Sequence, residues 1–118
     1  MSATLSDGRR LILASTSPFR RDLLARLALH FRAQAPEVDE TRLPGETAPE
    51  LVARLAERKA AAVAWQEPAA LIIGSDQVAV LDGAIIGKPG DHERAVAQLQ
   101  QASGRTVVFH TGLCLLDS

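Results

Sequence analysis

Hydrophobic and polar positions fall in blocks along this chain, and the period changes from block to block. Leu11 to Ala14 is a continuous apolar run that ends in three hydroxyl residues, Ser15, Thr16 and Ser17. Such a run, closed by turn formers, predicts a buried strand. Pro18 suits a first helical position with Ser17 as its cap, and a helix to about Leu29 would set Leu23, Leu24 and Leu27 on one face. Phe31, Ala33 and Ala35 alternate with Arg32 and Gln34, the pattern of a strand with one wet face. A loop from Pro36 to Pro44 carries Glu37, Asp39 and Glu40. Thr47-Ala-Pro-Glu50 has the spacing of a capping box. The helix it opens should run to about Trp65 and bury Leu51, Val52, Leu55 and Val63. Leu71-Ile-Ile-Gly74 is again fully apolar and continues into Ser75-Asp76-Gln77. Val78 to Leu81 and Ala84 to Ile86 flank Asp82-Gly83, a two-residue hairpin signal. Asp91 is placed to cap a third helix that reaches Ser103 and stops at Gly104. Thr106 to Leu116 forms the last strand, with a bend at Gly112.

The order β-α-β-α-β-hairpin-α-β predicts an α/β fold, a mixed, mostly parallel sheet flanked by helices. Ligands bind such sheets at the carboxyl ends of strands. Ser15 to Arg21, Glu37 to Glu40 and Ser75 to Gln77 all sit at such ends, so these three polar clusters are expected to face one cleft.

A length of 118 residues bounds the chain to one domain, residues 1–118. With 47% apolar and 23% charged residues the composition is that of a soluble globular protein. A net charge of −1 gives no global attraction to a nucleic acid polymer or an anionic membrane, so any anion site must be local. Aromatics are scarce, which argues against single-strand binding by base stacking. The lone cysteine, Cys114, sits in an apolar run and reads as a core residue in a reducing, cytoplasmic setting. The segment Met1 to Arg10 carries no apolar signal region. The chain ends immediately after an apolar strand, so it is expected to be a fragment or to have that edge covered.

The chemistry concentrates at the first turn of the first helix. Arg20 and Arg21 there oppose the positive end of the helix dipole. Two guanidinium forks, free N–H groups and the dipole become favourable together when an anion binds, as a polyphosphate would. Two solvated arginines beside an ordinary cap is the plainer alternative. Asp76 and Glu40 could share a hard divalent cation, Mg²⁺ or Mn²⁺, with phosphate oxygens completing its shell. Alternatively, Asp76 turns the chain and Glu40 is a solvated loop acid. Lys88, held in Gly87-Lys-Pro89, could neutralise a phosphoryl group. Lys59, late in the second helix, reads first as a solvated residue. Ser15 could donate to phosphate or satisfy local backbone. His30, His92 and His110 lack ligand spacing, and Arg94 and Arg105 read as surface residues.

Five motifs occur in order: Leu11-Ile-Leu-Ala-Ser-Thr-Ser-Pro-Phe-Arg-Arg21, Ala35-Pro-Glu-Val-Asp-Glu-Thr41, Ile72-Ile-Gly-Ser-Asp-Gln-Val78, Gly87-Lys-Pro89 and Ala102-Ser-Gly-Arg-Thr106. Together they resemble the Maf family of nucleoside triphosphate pyrophosphatases. The resemblance implies a fold related to the inosine triphosphate pyrophosphatases, and metal-dependent, house-cleaning cleavage of a nucleotide to a monophosphate and pyrophosphate. Ser-Thr-Ser-Pro before the arginines and Gly-Ser-Asp-Gln-Val resemble the branch acting on 7-methyl-GTP, with Phe19 and Gln77 at its specificity positions. The sister branch acts on dTTP and UTP. Carried over, the pattern makes Asp76 the proton acceptor and Glu40 the second acid. It makes Ser15, Arg20, Arg21, Lys59 and Lys88 the phosphate contacts. It also admits a homodimer. Family members extend well past the position matching Ser118, so the resemblance implies a C-terminally truncated chain. It leaves a rival expectation, a non-catalytic nucleotide-binding fragment.

Overall fold

Local sequence signals set most element boundaries. The computed structural model of the chain describes residues 8–86 and 92–118. Lys88, its flanking Gly87 and Pro89, and the Asp91 cap lie outside the described residues. The order is β1 (Arg10–Ala14), α1 (Pro18–Ala25), β2 (Arg32–Gln34), α2 (Ala48–Ala64), β3 (Ala70–Leu81), β4 (Ala84–Ile86), α3 (His92–Ala102) and β5 (Val107–Asp117). The fold is thus mixed α/β. β1 pairs in parallel with both β2 and β3, while β4 and β5 run antiparallel to β3. No helix among the described residues is long and apolar enough to cross a membrane.

The capping box forms as the sequence predicts: Thr47 Oγ1 accepts the Glu50 N–H, and Glu50 Oε1 accepts the Thr47 N–H. A cap of this kind is worth about 1 kcal/mol to its helix. α2 then buries Leu51, Val52, Leu55 and Val63, together with Ala56 and Ala60. Its apolar face closes a core with Ile12, Ala14, Ala70 and Ile72 of the sheet. The hairpin also forms, Asp82 and Gly83 both taking the left-handed conformation with φ of 51° and 78°.

Two expectations are corrected. The first helix ends at Ala25 rather than near Leu29, and none of its residues is buried. Leu23 and Leu27 are exposed, so no apolar contact extends the helix, and Ala28 turns left-handed after it. The second correction concerns Asp76, which does not follow a strand but lies inside one. β3 is continuous for 12 residues, and β5 pairs along one whole edge, Leu71 to Leu81. The opposite edge is shared: β1 covers it from Ala70 to Gly74 and β4 from Ala79 to Leu81. Between them, residues 75–78 have no ladder partner on that edge among the described residues. The cleft therefore opens where β1 stops, beside Asp76.

Two glycines determine how closely α2 lies on this region. A Cβ on Gly74 would stand 2.0 Å from the Ala56 carbonyl oxygen, and one on Gly112 would stand 2.2 Å from that of Val52. Gly74 lies two residues before Asp76 on the same sheet face, and Gly112 is the cross-strand partner of Asp76. Two of the neighbours of Asp76 on that face thus lack side chains. Helix and sheet meet backbone to backbone, which brings Lys59 of α2 over Asp76.

Candidate active site

Lys59 is the centre of the site. It is only 8% exposed, as is Asp76, because the helix carrying it is pressed against β3. Lys59 Nζ donates to Asp76 Oδ1 at 3.0 Å and lies 2.8 Å from Glu40 Oε1. The sequence pattern alone put Lys59 on a solvated face; the structure buries it between two acids. The signal that would have placed it was Gly74, since a strand glycine often marks close backbone approach. Both carboxylates converge on one cation, so the donor set suits a shared hard divalent ion. Among the described residues no group of three or more His, Cys, Asp or Glu gathers to hold a metal. An ion held by these two acids would take its other ligands from phosphate oxygens and water.

Two cavities meet at this point. One, of about 390 Å³, is lined by Ser15, Thr16, Ser17, Arg20, Glu40 and Lys59, with Pro18, Pro36 and Val38. The other, of about 840 Å³, is largely apolar, with Phe19, Leu55, Ile86, Leu99 and Phe109 in its walls and Asp76 and Gln77 among its polar lining residues. Ser17, Arg20 and Glu40 line both. Arg21 is exposed and lines neither cavity.

Ser15 is buried, and its Oγ accepts the Ser17 N–H at 3.0 Å, which leaves the hydroxyl proton to donate into the polar cavity. Ser17 Oγ accepts the Arg20 N–H at 3.3 Å, and Pro18 has no N–H. The helix end therefore offers a ligand fewer backbone donors than the cap sequence suggests. The weight of anion binding falls on Arg20, Ser15 and Lys59.

The loop that supplies Glu40 is fastened to α2 by a pair that pattern reading did not single out. Arg54 donates from Nε to Glu46 Oε2 at 2.6 Å and from Nη2 to Glu46 Oε1 at 2.9 Å, a two-pronged carboxylate contact. Its Nη2 also donates to the Thr41 carbonyl at 3.0 Å. Glu46 in turn accepts the Leu43 N–H on Oε1, and its carbonyl accepts Arg42 Nε. α2 thus holds residues 40 and 41 at two points, through Lys59 and through Arg54. Asp39, whose carboxyl accepts from Thr41 and is held below its ordinary pKa chiefly by that contact, tightens the turn between them.

The Arg54 guanidinium holds the Glu46 carboxyl below its ordinary value of 4.5. A depressed folded-state value stabilises the loop above the unfolded-state value, and this contribution is lost as pH falls through the folded-state one. The Leu43 amide is therefore expected to lose hydrogen-exchange protection in Glu46→Ala at neutral pH. It should also lose it in the parent protein once the pH drops below the ordinary carboxylate range. Equal protection in parent and variant would show that Glu46 does not hold the loop.

Cys114 is half-buried against the core, and burial raises its thiol pKa, so it is a poor nucleophile at neutral pH. Arg105 pairs with Asp82 at the surface and takes no part in the cleft.

Comparison with known proteins bears on the family of this chain. The family model described as "Maf-like protein" matches residues 10–118. A 7-methyl-GTP pyrophosphatase of Nitrosococcus oceani is 60% identical over 108 residues, covering 92% of this chain and 54% of that protein. Proteins of the same name from Albidiferax ferrireducens and Pseudomonas aeruginosa are 56% and 58% identical over 108 residues, 92% of this chain and 54% and 56% of theirs. The chain spans about half the length of these curated relatives. With the match running from the first strand to the last residue, and with the two acids, lysine and arginine gathered in one cleft, this chain belongs to the Maf-like family.

Proposed function

We propose that the cleft binds a nucleoside triphosphate, 7-methyl-GTP or another modified nucleotide, and hydrolyses it to the monophosphate and pyrophosphate. The observation that carries this reading is the junction of the two cavities. A small polar chamber with Ser15, Arg20 and Lys59 suits a polyphosphate, and a larger apolar chamber suits a base. Asp76 lies in the wall of the larger one and contacts Lys59, which lines the smaller.

Asp76 accepts the proton of a water as that water attacks the α-phosphoryl group, and pyrophosphate leaves. Arg20 and Lys59 hold the non-bridging oxygens and offset their developing charge. Ser15 orients the chain by donating its hydroxyl proton. Glu40 and Asp76 would hold a divalent cation, Mg²⁺ or Mn²⁺, whose charge supplies further neutralisation at the phosphoryl oxygens. Phe19 offers an aromatic face to the base, and a cationic methylated purine gains more from such a face than a neutral one. The setting proposed is the cytoplasm.

The test is a competition between substrates. Pyrophosphate release from 7-methyl-GTP, GTP, dTTP and UTP, each with Mg²⁺ or Mn²⁺, should favour 7-methyl-GTP. Phe19→Ala should shrink its advantage over GTP. Equal cleavage of all four, unchanged in Phe19→Ala, would overturn the base assignment.

A second reading, phosphate-dependent binding without turnover, is favoured by one observation. Three apolar residues lining the larger chamber are largely exposed, Phe19 69%, Phe109 64% and Leu99 74%. On that reading a nucleotide protects the chain against thermal unfolding but is not cleaved.

A further inference from the structure

Lys59 touches both acids of the cleft and also lines the polar chamber. A divalent ion shared by Glu40 and Asp76 would need the region that its ammonium occupies. We propose that Lys59 is an internal counter-cation for these two carboxylates, and that a divalent ion gains them only when phosphate oxygens draw the ammonium into the polar chamber. The metal then binds poorly by itself and well together with the polyphosphate.

This rests on the reading of the cleft as a polyphosphate and metal site. Three observations argue for it. The ammonium sits within 2.8 Å and 3.0 Å of the two carboxylates, so a dication beside it meets direct repulsion. Lys59 is buried to 8% exposure, so water does not screen that repulsion well. The ammonium has open space to move into, because its side chain borders the chamber of about 390 Å³ lined by Ser15, Thr16, Ser17 and Arg20. A lysine suits this exchange better than an arginine, since it is a compact charge on a flexible four-carbon stem. In the nucleotide-free state the ion pairs also keep two neighbouring carboxylates from repelling each other.

The test measures Mn²⁺ binding by electron paramagnetic resonance of the free ion, on the whole chain, with and without inorganic pyrophosphate. The parent should bind Mn²⁺ weakly alone and more tightly once pyrophosphate is present. Lys59→Met should bind Mn²⁺ alone about tenfold more tightly than the parent, since a charged hydrogen bond no longer has to be surrendered. Pyrophosphate binding without metal, followed by calorimetry, should weaken in the same variant. Lys59→Gln, checked for a cooperative thermal transition, replaces the Met variant if that one does not fold. If the parent binds Mn²⁺ with pyrophosphate but the variants bind the ion alone no more tightly than the parent, the proposal is overturned and the site reading stands. If no form binds Mn²⁺ under either condition, the reading of the two acids as metal ligands fails, and the proposal with it.

Discussion

Asp76→Asn should reduce the rate of pyrophosphate release by about 10²–10⁴-fold, the usual contribution of a positioned general base. The substitution keeps the shape of the side chain and an oxygen for Lys59 to donate to, so the fold should persist. What disappears is the capacity to take a proton from water. The position leaves few substitutes. Asp76 is buried, it lies where the β3 edge between β1 and β4 has no ladder partner among the described residues, and its carboxylate already contacts the lysine that would neutralise the phosphoryl group. Glu40 is more exposed, with its side chain 58% accessible, and sits on a loop, so Glu40→Gln should cost less turnover while weakening metal binding. The measurement is steady-state release with the thermal transition recorded in parallel. Equal losses in the two variants, or a folded Asp76→Asn chain with parental turnover, would contradict the assigned roles.

Gly74→Ala should unfold the helix–sheet contact or come close to it. Its Cβ would meet the Ala56 carbonyl oxygen at 2.0 Å and the Ala60 backbone nitrogen at 2.9 Å, and both belong to the helix backbone. No rotamer can relieve a clash with main chain; α2 must move away from β3. Overpacking a tight site typically costs ~1–3 kcal/mol and more when backbone must shift. Total stability is ordinarily only ~5–15 kcal/mol, so a fall in the thermal midpoint of more than about 10 °C is expected. Gly112→Ala should behave alike, through the Val52 carbonyl oxygen. Both changes should also weaken pyrophosphate binding, because moving α2 carries Lys59 away from Asp76. A Gly74→Ala chain with parental melting would show that the close approach does not hold the helix in place.

The parts of this fold that were legible in sequence are those fixed by neighbouring residues. The Thr47–Glu50 box, the Asp82-Gly83 turn and the apolar run of β1 each carry their cause within a few positions. Element order and the meeting of Ser15 and Glu40 followed from strand alternation and the rule that ligands gather at strand ends. What escaped depended on tertiary partners. α1 reads as amphipathic, yet it stops at Ala25 because nothing among the described residues covers Leu23 and Leu27. Asp76 reads as the end of a strand because polar residues follow apolar ones; it is interior because β5 pairs past it to Leu81. Lys59 reads as solvated because lysines at helical spacing usually are, and only the two glycines beneath α2 reveal that it is buried. The Glu46–Arg54 pair, eight residues apart, spans a loop whose path the sequence does not specify.

The proposed role of Ser15, Arg20, Glu40, Lys59 and Asp76 is to form a cleft that cleaves a nucleoside triphosphate at its α-phosphoryl group. The most direct measurement is hydrolysis of 7-methyl-GTP by the folded chain in ¹⁸O-labelled water with Mg²⁺ or Mn²⁺, the products identified by mass. Equal amounts of monophosphate and pyrophosphate are expected, with the label in the monophosphate. Release of orthophosphate, label in the pyrophosphate, or no cleavage by a chain with a cooperative melting transition would contradict it.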